Sequence, residues 1–158
     1  MRILITGPGG SGKTTLVRRL VARGFKEGVF DTDREIRPGE INGVHYNFIT
    51  KEAMQERMAG YVVSATYGHR SYGLGLPEWR AANLFVFTPA YLSQLPREAR
   101  EESFVIYLRP PRQIRYERLS ERYPEGSGDT AARLAQDDRD FSGYTDFDMV
   151  VGNPDGIF

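Results

Sequence analysis

The chain has 158 residues, of which 40% are hydrophobic and 27% charged, and its 21 Lys and Arg residues balance its 21 Asp and Glu residues. This length and composition indicate one globular domain with a core of its own, and the zero net charge argues against a nucleic-acid partner. The lack of cysteine excludes disulfides, iron–sulfur clusters and thiol catalysis. No apolar run reaches the roughly 20 residues of a membrane helix, and the first residues enter a strand directly, so we expect a cytoplasmic protein that does not contact a membrane.

The first 30 residues have the pattern of strand, glycine-rich loop and helix. Residues 2–6 are apolar without alternation and include β-branched side chains, which is typical of a buried strand in a parallel sheet. Residues 7–12 are rich in glycine, and apolar positions from Lys13 to about Arg23 recur at helical spacing. This order favours an α/β domain, and residues 28–30 are predicted as its second strand.

Residues 25–75 have a different composition, rich in Gly, Tyr and β-branched residues. Residues 44–50 and 61–66 have the pattern of short strands, and Thr50 is placed to cap a short helix that runs to about Ala59. We predict a small inserted subdomain with its own partly antiparallel sheet.

The α/β pattern returns after residue 75. The predicted elements are a helix beginning at Pro77, a strand at 84–87, a helix at 90–95, a strand at 104–108, a helix from Pro110 and Pro111 to about Tyr123, a flexible loop at 124–129, a helix at 130–141 and a final strand at 147–151. Together these elements predict an α/β protein with a three-layer P-loop NTPase fold and a parallel core sheet.

The glycine-rich loop contains a motif that predicts nucleotide binding. Residues 7–14 read G-P-G-G-S-G-K-T and match the phosphate-binding pattern G-x-x-x-x-G-K-[ST]. Such a loop turns its backbone N–H groups inward, and the following helix adds its positive dipole end, so the pair binds nucleotide phosphates. We expect Lys13 to reach the transferred phosphate and Thr14 to offer its hydroxyl to Mg²⁺. The predicted ATP-binding residues are Gly7, Pro8, Gly9, Gly10, Ser11, Gly12, Lys13, Thr14 and Thr15.

The rest of the chain narrows the class of P-loop protein. A GTPase would need a guanine-reading Asn-Lys-x-Asp, which this sequence lacks, and motor and transport ATPases have an apolar strand ending in Asp, which none of the predicted core strands has. The inserted Gly- and Tyr-rich segment favours a small-molecule kinase instead.

The segment from Arg34 to Phe48 resembles guanylate kinases. It matches every fixed position of the family pattern R-x-x-R-x-G-E-x-x-G-x-x-Y-x-F. The resemblance implies that Arg34, Arg37 and Tyr46 hold the phosphate of an acceptor nucleotide. Arginine forks suit phosphate oxygens and stay charged at any working pH, so the residue types agree with that role. Without the rest of the pattern, the two arginines would be read as solvated surface charges.

The resemblance extends to two later arginines. Arg122 ends one predicted helix and Arg133 lies in the next, at the separation of the two family arginines that close over the transferred phosphoryl group and stabilise its transition state. We therefore expect catalytic roles for Lys13, Arg122 and Arg133. Near the end of the chain, Asn153 resembles a residue beside the donor adenine. The predicted helix that ends at about Tyr123 also carries Arg112, Arg115 and Arg118 at helical spacing. These arginines form either a solvated face or, for Arg118, part of the site.

The resemblance fails where guanylate kinases read guanine. The family's acidic position falls on Val63 and its hydroxyl position on Leu74, and a further acid falls near Thr88 or Pro89. Loss of buried hydrogen-bonding groups would weaken recognition of guanine strongly. Glu56, Ser64 or His69 could take over base reading if the alignment is shifted by a few residues.

A second resemblance is to ribose 1,5-bisphosphate phosphokinase, whose acceptor has no base. The stretch Tyr72-Gly73-Leu74-Gly75 carries it. We expect Tyr72 and Gly73 to bind substrate in either case.

Asp31 and Asp33 follow the predicted second strand, where they either help to hold Mg²⁺ through water or cap the loop. The two histidines are expected to be structural or to face the substrate.

The resemblance implies one kinase domain, with its core at 1–30, 76–121 and 134–158, an acceptor lobe at 31–75 and a lid at 122–133. The expected function is transfer of a phosphoryl group from ATP, with Mg²⁺, to a small phosphorylated acceptor, a nucleoside or deoxynucleoside monophosphate. The alternatives are the ribose 1,5-bisphosphate reaction, a non-catalytic binding module and, disfavoured by the charge balance, a nucleic-acid end kinase. We expect a monomer or a homodimer.

Overall fold

The strands form two four-stranded sheets. The structure is a computed structural model that describes residues 1–122 and 130–152. The core sheet is parallel throughout and has the order β6-β1-β7-β8, and the second sheet has the order β3-β2-β5-β4. The strands are β1 (Arg2–Thr6), β2 (Asp31–Thr32), β3 (Asn47–Phe48), β4 (Tyr61–Tyr67), β5 (Arg70–Gly75), β6 (Leu84–Val86), β7 (Ser103–Leu108) and β8 (Met149–Val151).

Seven α-helices connect and cover these strands in the described ranges. They are α1 (Lys13–Val21), α2 (Lys51–Arg57), α3 (Leu76–Ala81), α4 (Pro89–Leu92), α5 (Arg97–Glu101), α6 (Arg112–Arg122) and α7 (Thr130–Asp140). None of the helices in the described part of the chain combines the length and apolar character needed to cross a bilayer.

The core sheet is buried on both faces, which explains the uninterrupted apolar run of β1. On one side, Ile3 and Ile5 pack with Leu16, Val17 and Leu20. These three residues recur at helical spacing and form the buried face of α1. On the other side, Leu4 joins a second cluster that contains aromatic residues and buried side chains of the second sheet. Burial on this scale is worth about 1.5–3 kcal/mol for each large side chain, so the two clusters fix the loop between β1 and α1 on a rigid base.

The second sheet is partly antiparallel, as the sequence predicts. β2 pairs with β3 in parallel, and β5 runs antiparallel to both β2 and β4. Thr50 caps α2 through its hydroxyl, which accepts a hydrogen bond from the backbone N–H of Ala53 at 3.2 Å. All four strands lie between residues 31 and 75.

Several predicted elements are wrong or incomplete. Residues 28–30 are not a strand, because the chain leaves the edge of the core sheet after a single bridge from Glu27 to Leu84. Gly28 lies there so close to the Phe85 ring that a Cβ would stand 2.1 Å from it. The predicted strand at 44–50 shortens to β3, and β5 and α5 are absent from the prediction. The predicted loop at 124–129 lies outside the described residues.

Candidate active site

The phosphate loop connects β1 to α1 and has the backbone of an anion nest. Gly10 and Gly12 have φ angles of 73° and 93°, which residues with a Cβ rarely adopt. α1 begins after Gly12 without a side-chain cap and without an acidic residue in its first turn, so its N-terminal dipole is open to an anion. The Ser11 hydroxyl is buried without a hydrogen-bond partner in the described structure. These features fit a nucleotide phosphate, and the exposed Thr14 in the first turn suits a magnesium ligand.

Lys13 lies back across this loop. Its Nζ donates hydrogen bonds to the carbonyl oxygens of Gly7 at 2.6 Å and Pro8 at 2.8 Å. The ammonium group is therefore next to the loop and close to the position where a phosphate would bind. When a nucleotide binds, Lys13 Nζ can exchange both carbonyl contacts for contacts with phosphate oxygens, because these are stronger hydrogen-bond acceptors.

Helices α6 and α7 hold the outer side of the loop. Arg115 Nε donates to the carbonyl oxygen of Gly9 at 3.2 Å, and Arg118 Nη1 donates to that of Gly10 at 3.1 Å. The Gly9 N–H donates to Asp137 Oδ2 at 2.8 Å. A Cβ on Gly9 would also lie 3.4 Å from Arg133 Nε, so Arg133 reaches the tip of the loop. Its catalytic role stays a prediction.

At the predicted acceptor site, Arg34 is buried and paired. Its Nη2 and Nη1 donate to the two carboxylate oxygens of Glu40 at 2.7 and 2.9 Å, and Nη1 also donates to the Glu35 carbonyl at 2.8 Å. The hydrogen bond from Arg34 lowers the pKa of Glu40 to about 2 and raises the pKa of Arg34. The arginine is thus charged, and its fork is held by Glu40 and the Glu35 carbonyl.

Aromatic rings surround this arginine. The Arg34 guanidinium lies 5.4 Å from the ring centroids of both Tyr46 and Phe48. The Tyr46 and Tyr72 rings are 5.7 Å apart, and burial raises the pKa of Tyr46. Tyr46 therefore remains a neutral hydrogen-bond donor at neutral pH. Arg37 lies nearby in sequence with an exposed side chain, so the structure brings Arg34, Tyr46 and Tyr72 together and leaves Arg37 at the surface.

Asp31 and Asp33 belong to the hydrogen bonds of the second sheet. Asp31 accepts from Asn47 Nδ2 at 2.9 Å, Arg57 Nη1 at 3.0 Å and the Tyr61 hydroxyl at 2.8 Å. Asp33 Oδ1 accepts from the Ser71 N–H at 2.7 Å. These partners favour the loop-holding role for both carboxylates over the magnesium role.

Gly73 has a packing reason to be glycine. A Cβ there would stand 2.4 Å from the Cδ2 and Cε2 atoms of Tyr61, whose ring covers the strand from the α2 side. Its contact with substrate stays a prediction.

A shallow cavity of about 250 Å³ lies between α2 and the β4–β5 hairpin. Asp33, Lys51, Met54, His69 and Ser71 are among its lining residues. None of the four predicted acceptor side chains, Arg34, Arg37, Tyr46 and Tyr72, lines it. Side chains alternate along a strand, so Ser71 lies on the opposite face of β5 from Tyr72.

Comparison with known proteins gives one consistent result. A family model described as an AAA domain matches residues 3–137. The guanylate kinase of Neisseria meningitidis is 31% identical, over 96% of this chain and 79% of its own length. The guanylate kinase of Idiomarina loihiensis is 30% identical, over 96% and 78%. The crystal structure of guanylate kinase from Anaplasma phagocytophilum has a TM-score of 0.72 at 20% identity, over 97% of this chain and 76% of that one, and so shares the fold.

The chain belongs to the guanylate kinase-like family. This membership and the fold confirm the predicted family and the predicted three-layer α/β class with a parallel core sheet.

Within this guanylate kinase-like chain, the predicted base-reading positions are apolar and close together. Val63 and Leu74 are direct partners across β4 and β5 and are 1% and 0% exposed. Phe30, Phe87 and Tyr91 belong to the same buried cluster. No carboxylate or hydroxyl comes from either of the two predicted positions. Thr88 serves as the cap of α4, where its hydroxyl accepts from the Tyr91 N–H at 3.4 Å.

Two predicted site residues are not located by the structure. The Arg122 side chain and Asn153 lie outside the described residues. Conversely, Arg115 and Asp137 contact the phosphate loop but are absent from the predicted site. Charged residues at helical spacing have the same pattern whether they face solvent or a loop, so no signal in the sequence separates the two cases.

Proposed function

We propose that this guanylate kinase-like chain transfers a phosphoryl group from ATP to a phosphorylated small molecule, most directly a nucleoside or deoxynucleoside monophosphate. The observation that carries the proposal is the intact phosphate loop, with left-handed Gly10 and Gly12 and with Lys13 lying over it. Identity to guanylate kinases across nearly the whole chain supports the same reaction class.

In this proposal the loop holds the donor and Arg34, Arg37, Tyr46 and Tyr72 hold the acceptor phosphate. Thr14 would hold Mg²⁺, which when bound with ATP neutralises charge on the phosphate oxygens. Lys13, Arg122 and Arg133 would stabilise the charge of the transferred group. No residue has to remove a proton, because an acceptor phosphate is ionised at neutral pH.

The residues at the predicted base-reading positions bear on which base the acceptor carries. Val63 and Leu74 supply no hydrogen bond to a guanine edge and are packed away from solvent. A site that read guanine through these positions would leave its polar edge unpaired. We propose that GMP is not the preferred acceptor. We also propose that residues 31–75 act as the acceptor lobe and residues 122–133 as the lid, and that the reaction takes place in the cytoplasm.

A second candidate acceptor is ribose 1,5-bisphosphate. The same buried pair, Val63 and Leu74, favours it, since an acceptor without a base needs no hydrogen-bonding group at these positions.

The test is ADP release from ATP and Mg²⁺ against a panel of ribo- and deoxyribonucleoside monophosphates together with ribose 1,5-bisphosphate. Wild-type protein is compared with Lys13→Ala, which should lose at least about a hundredfold in kcat while its thermal unfolding is unchanged. Near-normal turnover by Lys13→Ala would exclude the mechanism.

The panel also separates the remaining alternatives. A preference for GMP or dGMP would contradict the proposal on base recognition. Turnover of ribose 1,5-bisphosphate alone would assign the second candidate. ATP binding without turnover of any acceptor would favour a binding module.

A further inference from the structure

At the tip of the phosphate loop, both backbone polar groups of Gly9 are hydrogen-bonded to side chains of two helices. The Gly9 N–H donates to Asp137 of α7, and the Gly9 carbonyl accepts from Arg115 of α6. Asp137 and Arg115 also pair with each other at 3.4 Å. Three segments that are far apart in the sequence therefore meet at one glycine.

Arg115 is the centre of this contact. It is only 6% exposed, and a buried cation is stable only when it is paired and hydrogen-bonded. Its Nη1 donates to Asp138 at 2.9 Å, and the hydrogen bonds from Arg115 and Arg112 lower the pKa of Asp138. The charge of Arg115 is thus satisfied by the loop and by α7.

The loop leaves no room for other side chains at this place. A Cβ on Gly9 would stand 2.9 Å from Asp137 Oδ2, and a Cβ on Gly10 would stand 2.9 Å from the Arg115 carbonyl oxygen. The approach of both helices is therefore part of the shape of the loop.

Asp137 follows Arg133 by four residues, so both side chains project from the same face of α7. Arg133 Nε lies 3.4 Å from the position that a Cβ on Gly9 would take. A helix that is anchored at Asp137 consequently carries Arg133 to the tip of the phosphate loop, next to the proposed donor site.

We propose that Asp137 and Arg115 are positioning residues that dock α7 on the phosphate loop and so place Arg133 for phosphoryl transfer. This inference rests on the proposed function for its kinetic consequence, but the docking contact itself is independent of the acceptor. Both residues would act through the loop and Arg133, so neither is proposed as a catalytic residue.

The kinetic test is a double-mutant cycle between Asp137 and Arg133. Asp137→Ala should lower kcat between about tenfold and a hundredfold, the loss expected when a catalytic group is displaced by about 1 Å, with the KM for the acceptor unchanged. In the Arg133→Met background the same change should cost less than about twofold, because there is no longer an arginine to position. Asp140→Asn is the matched control, since Asp140 is on the same helix and bonds only to Gln136 in the described structure. Asp137→Asn keeps an oxygen for the Gly9 N–H and should retain more activity than Asp137→Ala.

A second readout does not need turnover. Amide hydrogen exchange of a peptide that covers residues 7–15, measured without nucleotide, should be faster in Asp137→Ala and unchanged in Asp140→Asn. If wild-type protein turns over no acceptor, the proposed function fails while the exchange experiment still tests the docking.

Three results would overturn the inference. The first is a loss of kcat from Asp137→Ala that is equally large in the Arg133→Met background. The second is tighter ATP binding by Asp137→Ala, which would mean that Asp137 competes with the nucleotide for the loop. The third is unchanged exchange in the loop peptide.

Discussion

Arg34 and Glu40 form a two-bond fork, with Nη2 2.7 Å from Oε1 and Nη1 2.9 Å from Oε2. Glu40 also accepts a hydrogen bond from the Arg37 N–H at 2.8 Å, so one carboxylate ties the buried arginine to the loop that carries the second arginine. The guanidinium has five N–H groups, and three of them are used by Glu40 and the Glu35 carbonyl. Tyr72 also hydrogen-bonds to this guanidinium, so in the proposed function an acceptor phosphate would meet Arg34 and Tyr72 together.

Glu40→Gln should weaken acceptor binding. The amide keeps the shape and one acceptor oxygen but loses the ionic bond that holds the Arg34 fork. We expect the KM for the acceptor to rise about tenfold with kcat and the KM for ATP within about twofold, the cost of one weakened charge-assisted hydrogen bond. Steady-state kinetics with the acceptor identified by the panel will measure it. Glu35→Gln is the control, because only its backbone contacts Arg34; a similar rise in that variant would contradict the assignment to Glu40.

The same ion pair makes stability depend on pH. The pKa of Glu40 is lowered from its ordinary 4.5 to about 2 by the hydrogen bond from Arg34. Between these values the unfolded chain binds more protons than the folded one, so the stabilisation from Glu40 is complete above pH 4.5 and decreases as the pH falls toward 2. With allowance for solvent screening, this contribution is about 1 kcal/mol.

Urea unfolding of wild-type protein and of Glu40→Gln will test the sign. The free energies of unfolding should differ at neutral pH and converge as the pH is lowered. A difference that stays constant, or that grows in acid, would rule out Glu40 as the group that titrates.

Asp31→Asn should reduce stability and leave the magnesium dependence of turnover unchanged. Asp31 is 7% exposed and its carboxylate accepts from three side chains, of which the Tyr61 hydroxyl and Arg57 meet the same oxygen. Removing the charge leaves these donors with a weaker partner, at a cost of about 1–3 kcal/mol. Thermal unfolding and a magnesium titration of the same samples measure the two effects. A shifted magnesium titration would restore the metal role for Asp31.

The fold could be predicted largely from local pattern, and the errors of that prediction have a physical origin. The apolar run of residues 2–6 and the helical spacing of Leu16 and Leu20 locate β1 and α1 because both bury whole faces. The stretch at 28–30 has the pattern of a strand because it contains β-branched Val29 and aromatic Phe30. Its backbone instead crosses between sheets, and the tight contact of Gly28 with Phe85 is a tertiary feature that no local pattern contains.

The candidate site likewise has one part that the local sequence predicts and one part that it does not. Lys13 and the glycines of its loop are set by a contiguous motif, so their geometry follows from neighbours in sequence. Arg115 and Asp137 contact the same loop from more than a hundred residues away. Their charges resemble a solvated helical face in the sequence, and only the packing of α6 and α7 distinguishes them from Arg112, which is largely exposed.

Gly73→Ala should destabilise the second sheet through the Tyr61 ring. The new Cβ would stand 2.4 Å from two ring atoms, and moving the ring would also disturb the 2.8 Å hydrogen bond from its hydroxyl to Asp31. Overpacking of this kind costs about 1–3 kcal/mol. Gly75→Ala is the matched control on the same strand, since a Cβ there would meet only Pro77 Cδ at 3.6 Å. Gly75 is also the N-cap of α3, so this change should cost a little but clearly less than Gly73→Ala. Replacing the ring by Tyr61→Leu should reduce the cost of Gly73→Ala, because the clash is with the ring itself. If Gly73→Ala instead keeps full stability and weakens only the binding of the acceptor, the glycine is required for substrate contact and not for packing.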